Sequence, residues 1–151
     1  MSYPLSGYHF VVNWGGTNVG FQEVSGLEMK TEVIEYRQGA SPEYSPLKMP
    51  GMNKYGNIKL SRGTMEGDNE LFEWFNTIML NKVERRDITI SLLNEEHEPV
   101  VTWKIKNAFP AGLKWDKLDS TESKVFLEYV ELAHEGLTVE NSSVNKNSKK
   151  G

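Results

Sequence analysis

The sequence predicts a mainly β fold, an antiparallel sandwich or barrel of about seven or eight strands with one flanking α-helix. Short stretches in which apolar and polar residues alternate recur along the chain, separated by Gly, Pro and Asn. One stretch has apolar residues at helical spacing instead. The 151 residues suit one domain able to bury roughly two-thirds of the surface its unfolded form exposes.

Tyr8, Phe10, Val12 and Trp14 alternate with His9, Val11 and Asn13, which reads as a first strand. In Trp14-Gly15-Gly16-Thr17-Asn18 the glycines can take the positive φ of a tight turn, so the return through Val19 to Ser25 is expected to close a hairpin. From Leu27 to Tyr36 alternation is regular, with Glu28, Lys30 and Glu32 on one face and Leu27, Met29, Thr31 and Val33 on the other. One face of that strand is expected to meet water.

Between Arg37 and Gly56 the pattern fails. Gly39, Pro42, Pro46, Pro50 and Gly51 interrupt a segment in which Tyr44, Leu47, Met49, Met52 and Tyr55 follow neither strand nor helix period. This reads as a long loop, a feature that is usually functional or disordered in a compact domain. Its aromatic and Met content points to a loop ordered against a partner, since disordered linkers are poor in such residues.

Asn57 to Arg62 reads as a short strand and Gly63 to Gly67 as a turn. Asp68 is placed to accept backbone N–H bonds at a helix start. Leu71, Phe72, Phe75, Ile78 and Met79 then form an apolar stripe, with Trp74 on its flank, and this stripe is the expected helix core. Lys82, Arg85 and Arg86 follow where a helix C-terminus favours cations. Strands are expected again over Asp87 to Leu93 and Pro99 to Asn107, joined through Asn94-Glu95-Glu96-His97. A less regular stretch follows Phe109-Pro110-Ala111-Gly112, and Lys124 to His134 and Leu137 to Glu140 read as closing strands. The domain is expected to span residues 1–140, leaving 141–151 as a polar, Lys-rich tail.

Composition excludes several functions. Net charge is −4, and without the three tail lysines it is −7, which argues against a nucleic-acid platform. With no cysteine there is no disulfide framework, thiolate nucleophile or Cys-based zinc site. The N-terminus has no basic region followed by a long apolar core, and no apolar run is long enough to span a membrane, so synthesis and assembly in the cytoplasm are expected.

Catalytic motifs are missing as well. His9, His97 and His134 are far apart in sequence and lack the spacing of metal-binding motifs, so each reads as a surface or packing residue. Glu95-Glu96 falls in a turn where water reaches both carboxylates, and raised pKa values are hard to sustain there. Gly15-Gly16 does not extend to a phosphate-binding motif. The four Trp, six Tyr and six Phe are better explained by core and interface packing than by base stacking. No cofactor or metal is expected, and no enzyme activity. What remains is a modest domain with projecting pieces, which suits a subunit whose partners complete its fold.

Several stretches resemble a known family: Val33-Ile34-Glu35-Tyr36-Arg37 leading into Gly39-Ala40-Ser41-Pro42-Glu43-Tyr44; Lys48-Met49-Pro50-Gly51; Gly67-Asp68-Asn69-Glu70-Leu71-Phe72 with Trp74 and Asn76; Glu84-Arg85-Arg86-Asp87-Ile88-Thr89-Ile90-Ser91-Leu92; and Trp103 with Asn107-Ala108-Phe109-Pro110. In order over about residues 5–140, these are similar to the tail-tube proteins of contractile phage tails and of extracellular contractile injection systems of the antifeeding-prophage type. The resemblance implies a tail-tube-like barrel core with a flanking helix and hexameric rings whose strands close a common inner barrel. It also implies that the rings stack into a hollow tube inside a sheath.

On that resemblance the segment Gln38 to Tyr55, with Gly39, Pro42, Tyr44, Leu47, Lys48, Met49, Pro50, Gly51, Met52 and Tyr55, is expected to reach a neighbouring subunit or ring. Glu28, Lys30 and Glu32 become candidates for a wetted face, lumen or exterior. The implied partners are copies of the chain itself, sheath, baseplate and hub, and tail-terminator proteins, with room for payload in the lumen. Neither specific nucleic-acid binding nor membrane insertion is implied, and the finished particle is one that can be released from the cell. The alternatives are the initiator ring on the baseplate, a secreted ring protein of the type VI kind and, from another class, a monomeric domain that binds a ligand through the Arg37 to Gly56 loop.

Overall fold

The longest strand organises the molecule. In the computed structural model, which describes residues 5–7, 9–15, 20–36 and 47–141, Pro99–Trp115 forms a single strand of 17 residues. In chain order the elements are β1 (Phe10–Asn13), β2 (Glu23–Ser25), β3 (Met29–Tyr36), β4 (Leu47–Tyr55), β5 (Ile58–Gly63), helix α1 (Glu70–Met79), β6 (Arg86–Leu93), β7 (Pro99–Trp115), β8 (Leu127–Ala133) and β9 (Gly136–Asn141). All strand pairs are antiparallel. Neighbours run β1-β6-β7-β8-β5-β2, with β9 also on β7, while β3 and β4 form a sheet of their own.

The first half of β7 lies between β6 and β9, and its second half pairs with β8. The strand passes from one layer to the other near Asn107, which has φ of +53° and donates its backbone N–H to Asp87 Oδ1 at 3.0 Å. Bulges lie beside this point, between Arg86 and Ile88 and between Pro110 and Gly112. Bulges bend a strand, and this is how one strand turns the corner of a sandwich. The path ends at β1 and β2, which pair with β6 and β5 and not with each other, so the sheet is sandwich-like and not closed as a barrel. Among the described residues, the strands on either side of the expected Trp14–Ser25 hairpin thus pair elsewhere, although Gly15 does have a φ of +83°. Gly16 to Val19 lie outside the described residues.

Alternation explains the core. Ile58 and Leu60 on β5, Ile88 and Ile90 on β6, Ile105 on β7, and Val130 and Leu132 on β8 point inward and are buried. Trp14, Phe21, Leu71 and Trp74 fill the space between layers and helix, with Trp14 5.8 Å from Trp74 and 5.9 Å edge-on from Phe21. Arg62 is also interior, 3.2 Å from Asp68 and 3.1 Å from Glu128. Its Nη1 has no hydrogen-bond partner among the described residues.

The helix differs from its expected stripe. Leu71 and Trp74 are the buried pair, Phe75 and Ile78 are half-buried, and Phe72 and Met79 are exposed. Trp74 is central because its indole N–H donates to the Glu84 carbonyl at 2.7 Å, a polar anchor an aliphatic residue lacks. Asp68 does accept the Glu70 N–H, at 3.0 Å. The expected cations are absent from the last turn. Arg85 instead pairs with Glu135 at 2.8 Å, and Arg86 lies 5.3 Å from the Trp14 ring and 4.7 Å from the Trp74 ring. Asn141, placed in the tail by sequence, pairs opposite Val101 at the end of β9. Residues 142–151 lie outside the described residues.

Candidate assembly surface

Residues Leu47 to Tyr55, expected to be loop, are a strand. They pair with β3 from Met29↔Tyr55 to Tyr36↔Leu47, making a two-stranded arm. The pattern was obscured by Pro50 and Gly51, which lie at a bulge where Gly51 and Met52 oppose Glu32. Proline and glycine are tolerated in strands at such bulges. Gly39, Pro42 and Tyr44, from the same expected loop, lie outside the described residues.

The neck of the arm is packed. Leu27 and Tyr55 are partly buried against the core, and the Tyr55 ring lies 5.5 Å from that of His134. The imidazole of His134 sits between two carbonyls, with Nε2 3.0 Å from Gly56 O and Nδ1 3.2 Å from Gly136 O. Gly26, at φ +87°, and Gly56 let the two chain crossings approach closely: a Cβ on Gly26 would run into the Asn57 carbonyl, and one on Gly56 into the Glu28 carboxylate.

Beyond the neck the arm is open. Every residue of β3 is exposed, as are all of β4 except Gly51 and Tyr55. Strand alternation and register put Lys30, Glu32, Ile34 and Tyr36 on one face with Lys54, Met49 and Leu47. That face is charged near the neck, where Lys54 lies 3.8 Å from Glu32, and apolar near the tip. Lys30 and Glu32 thus share a face as the alternation implies, whereas Glu28 precedes the strand and lies against Gly56. An isolated two-stranded hairpin is marginal in water, and a contiguous exposed apolar patch marks an interaction surface.

A second exposed apolar run lies on α1 and the turn after it: Phe72, Met79, Leu80 and Val83, between 43% and 67% exposed. Phe72 and Met79 are two turns apart on one side of the helix, away from Leu71 and Trp74. This run was missed because helical spacing shows that an apolar stripe exists and does not show how wide the buried part is.

Among the described residues there is no group of three or more His, Cys, Asp or Glu able to hold a metal ion. The fold does bring His9 and His97 together, 3.1 Å apart between Nε2 and Nδ1, which their sequence separation hides. Glu95 and Glu96 are exposed at the β6–β7 turn. The outer face of the β2-β5-β8-β7 layer is polar and of mixed charge, with Glu23, Lys59, Lys114, Tyr129 and Glu131 around a shallow depression of about 310 Å³. At its edge the Tyr129 hydroxyl donates to Asp116 at 2.9 Å, and the Leu127 N–H donates to the same carboxylate at 3.2 Å. The Tyr129 bond, more than any other contact, holds Asp116 below the usual carboxylate range, and it also holds the phenol above its usual value. No helix among the described residues is long and apolar enough to cross a membrane.

Comparison with known proteins gives this geometry a context. Residues 6–138 match the model of the T4-like virus tail tube protein gp19 family. A chain in the sheath-tube complex of an extracellular contractile injection system, PVC, in its extended state is 38% identical, with 92% of this chain and 93% of that one covered and a TM-score of 0.83. A chain in the tube-terminating cap of the anti-feeding prophage is also 38% identical, with 94% of each chain covered and a TM-score of 0.85. One in the baseplate of that prophage is 26% identical, covering 95% of this chain and 100% of that one at a TM-score of 0.81. Hcp1 from Flavobacterium johnsoniae, 15% identical with a TM-score of 0.56 over 89% of this chain and 97% of its own, shares the fold alone. Among curated proteins nothing matches.

Proposed function

Since the chain belongs to the T4-like virus tail tube protein gp19 family, we propose that it acts by self-assembly, as a non-catalytic subunit whose hexameric rings stack into the inner tube of a contractile injection particle. The observation that carries this reading is the arm, a two-stranded hairpin standing off the packed core with Ile34, Tyr36, Leu47 and Met49 exposed among its described residues. Burying that tip is worth roughly 25 cal/mol for each Å² of apolar surface removed from water, and closed symmetry repeats the gain at every contact around a ring. Among the described residues, β1, β2 and the second half of β7 each have an edge without a strand partner, which suits strand pairing across subunits.

Assembly in the cytoplasm followed by incorporation into the particle fits this role, with sheath, baseplate and terminator proteins as partners and payload in the lumen. The mixed-charge outer layer around Glu23, Lys59 and Glu131 suits a wetted wall that grips cargo of neither sign. Identity of 38% to the chain of the sheath-tube complex against 26% to that of the baseplate favours the main tube over the initiator ring.

Negative-stain electron microscopy of the purified chain over a concentration series, with and without the cognate baseplate, tests the proposal. Six-fold rings or stacked tubes are expected. Monomers under both conditions would overturn it in favour of a monomeric binding domain.

A further inference from the structure

His9 and His97 stand 88 positions apart in the chain and meet at one corner of the fold. His9 directly precedes β1, and its carbonyl accepts the Leu93 N–H at 2.8 Å, which continues the β1–β6 ladder by one residue. His97 closes the turn between β6 and β7, and Asn94 fixes that turn. The Asn94 Oδ1 accepts the N–H groups of Glu96 at 2.8 Å and Glu98 at 3.0 Å, and its carbonyl accepts the His97 N–H at 3.0 Å. His97 takes a φ of +64° there, and its ring meets that of His9 at 83° with centroids 4.5 Å apart. The facing nitrogens, Nε2 of His9 and Nδ1 of His97, are 3.1 Å apart.

We propose that this pair is a binding site for a divalent transition cation of the Zn²⁺, Ni²⁺ or Cu²⁺ class, which takes His9 Nε2 and His97 Nδ1 as neighbouring ligands. Imidazole nitrogen suits these ions. Nitrogens 3.1 Å apart, each at the usual bond length of about 2.0–2.1 Å from one ion, subtend about 95–100° at it, between a right angle and the tetrahedral angle. The proton held between the two nitrogens must leave that edge, and a neutral imidazole achieves this by changing tautomer. His97 is exposed and His9 half-buried, so the remaining positions on the ion fall to water. The turn from Asn94 to Glu98 holds three carboxylates and no Lys or Arg, and Glu95 and Glu96 line the same surface depression as His9. The local potential therefore attracts a cation. Bound there, the ion ties β1, which among the described residues pairs with β6 alone, to the β6–β7 turn. Both ligands belong to one chain, so the site stands whether or not the chain forms rings.

The sequence contains only these two histidines and His134, and no cysteine, so few variants assign the ligands. The purified full chain, free of any affinity tag, is to be titrated calorimetrically with Zn²⁺, Ni²⁺ and, as a hard cation, Mg²⁺, and its thermal unfolding followed with and without each ion. His9→Gln and His97→Asn are measured beside it, asparagine being a residue that accepts the left-handed φ at position 97. One Zn²⁺ or Ni²⁺ per chain is expected, with a rise in melting temperature on binding and no response to Mg²⁺. Each variant is expected to bind the transition ion at least about tenfold more weakly, because either ring holds the ion at high local concentration for the other. Each is also expected to lose the rise in melting temperature. Unfolding without metal checks that the variants fold, and His97→Asn decides alone if His9→Gln disturbs β1. No binding by the wild type, full affinity kept by a folded variant, or an equal response to Mg²⁺ would overturn the site, the last by placing the ion on carboxylates.

Discussion

Arg62 on β5 and Glu128 on β8 are directly opposed across the sheet, with Nε 3.1 Å from the carboxylate and 1% and 5% of the two residues exposed. The guanidinium also lies 5.6 Å from the Trp14 ring and 5.8 Å from the Phe21 ring, where π faces attract a cation. An interior pair of this kind contributes little beyond a hydrophobic replacement, yet removing one member strands the other without water. Arg62→Met, which leaves Glu128 buried without its cation, is expected to cost about 3–5 kcal/mol in denaturant unfolding, whereas Glu128→Leu leaves Arg62 its second partner, Asp68 at 3.2 Å, and is expected to cost less. The double variant is expected to recover much of the Arg62→Met loss. Costs that simply add would show that the two charges are solvated independently.

Trp74 and Phe72 are neighbours on one helix with opposite environments. Trp74→Ala removes a buried ring and leaves the Glu84 carbonyl without its indole donor, so a loss of about 3–5 kcal/mol is expected. Phe72→Ala, at an exposed position, is expected to stay within about 0.5 kcal/mol. Thermal unfolding of the two variants side by side measures the difference, and similar melting temperatures would mean that Phe72 is packed after all.

What the sequence revealed depended on whether one segment carried its own signal. The β6–β7 hairpin and the helix were legible because alternation or helical spacing persists within each. The arm was half legible: β3 alternates cleanly, while in β4 the bulge at Gly51 and Met52 breaks the period. The β1 and β2 pairings were not legible, because a glycine turn predicts a local hairpin and says nothing about partners at opposite ends of a sheet. Surface roles were the least visible. Phe72 and Met79 share their spacing with Leu71 and Trp74, and only packing separates the interior residues from those left open.

Asp116 and Tyr129 form a pH-sensitive pair through their 2.9 Å hydrogen bond. Asp116 titrates below its ordinary 3.8 in the folded chain, first because of that bond, so its stabilising contribution is present above pH 3.8 and is lost as pH falls through the lower folded value. Tyr129 titrates above 10.0 because the same carboxylate favours the neutral phenol, so its contribution is present below pH 10.0 and lost as pH rises through the folded value. Asp116→Asn is expected to move one tyrosine to earlier ionisation in an alkaline titration followed by phenolate absorbance. It is also expected to remove one carboxylate's share of acid sensitivity. An unchanged tyrosine titration would show that the bond does not persist in solution.

Gly26 tests how rigidly the arm leaves the body. Its φ of +87° is unfavourable for any residue with a Cβ, and that Cβ would also fall against the Asn57 carbonyl, a backbone group with little freedom to move. Gly67 provides the control, since its φ of +81° is nearly the same but nothing lies within 4 Å of the position its Cβ would occupy. Gly67→Ala should therefore cost the conformational strain alone, about 1–2 kcal/mol. Gly26→Ala adds a clash at the neck and is expected to exceed the control by at least about 1 kcal/mol, with assembly lost before the body unfolds. Chemical denaturation gives the two costs, and light scattering gives the assembly. Equal costs with assembly intact would mean that the neck shifts to admit the methyl group, and that the arm's direction is set by its neighbour in the ring instead of by the contact between Gly26 and Asn57.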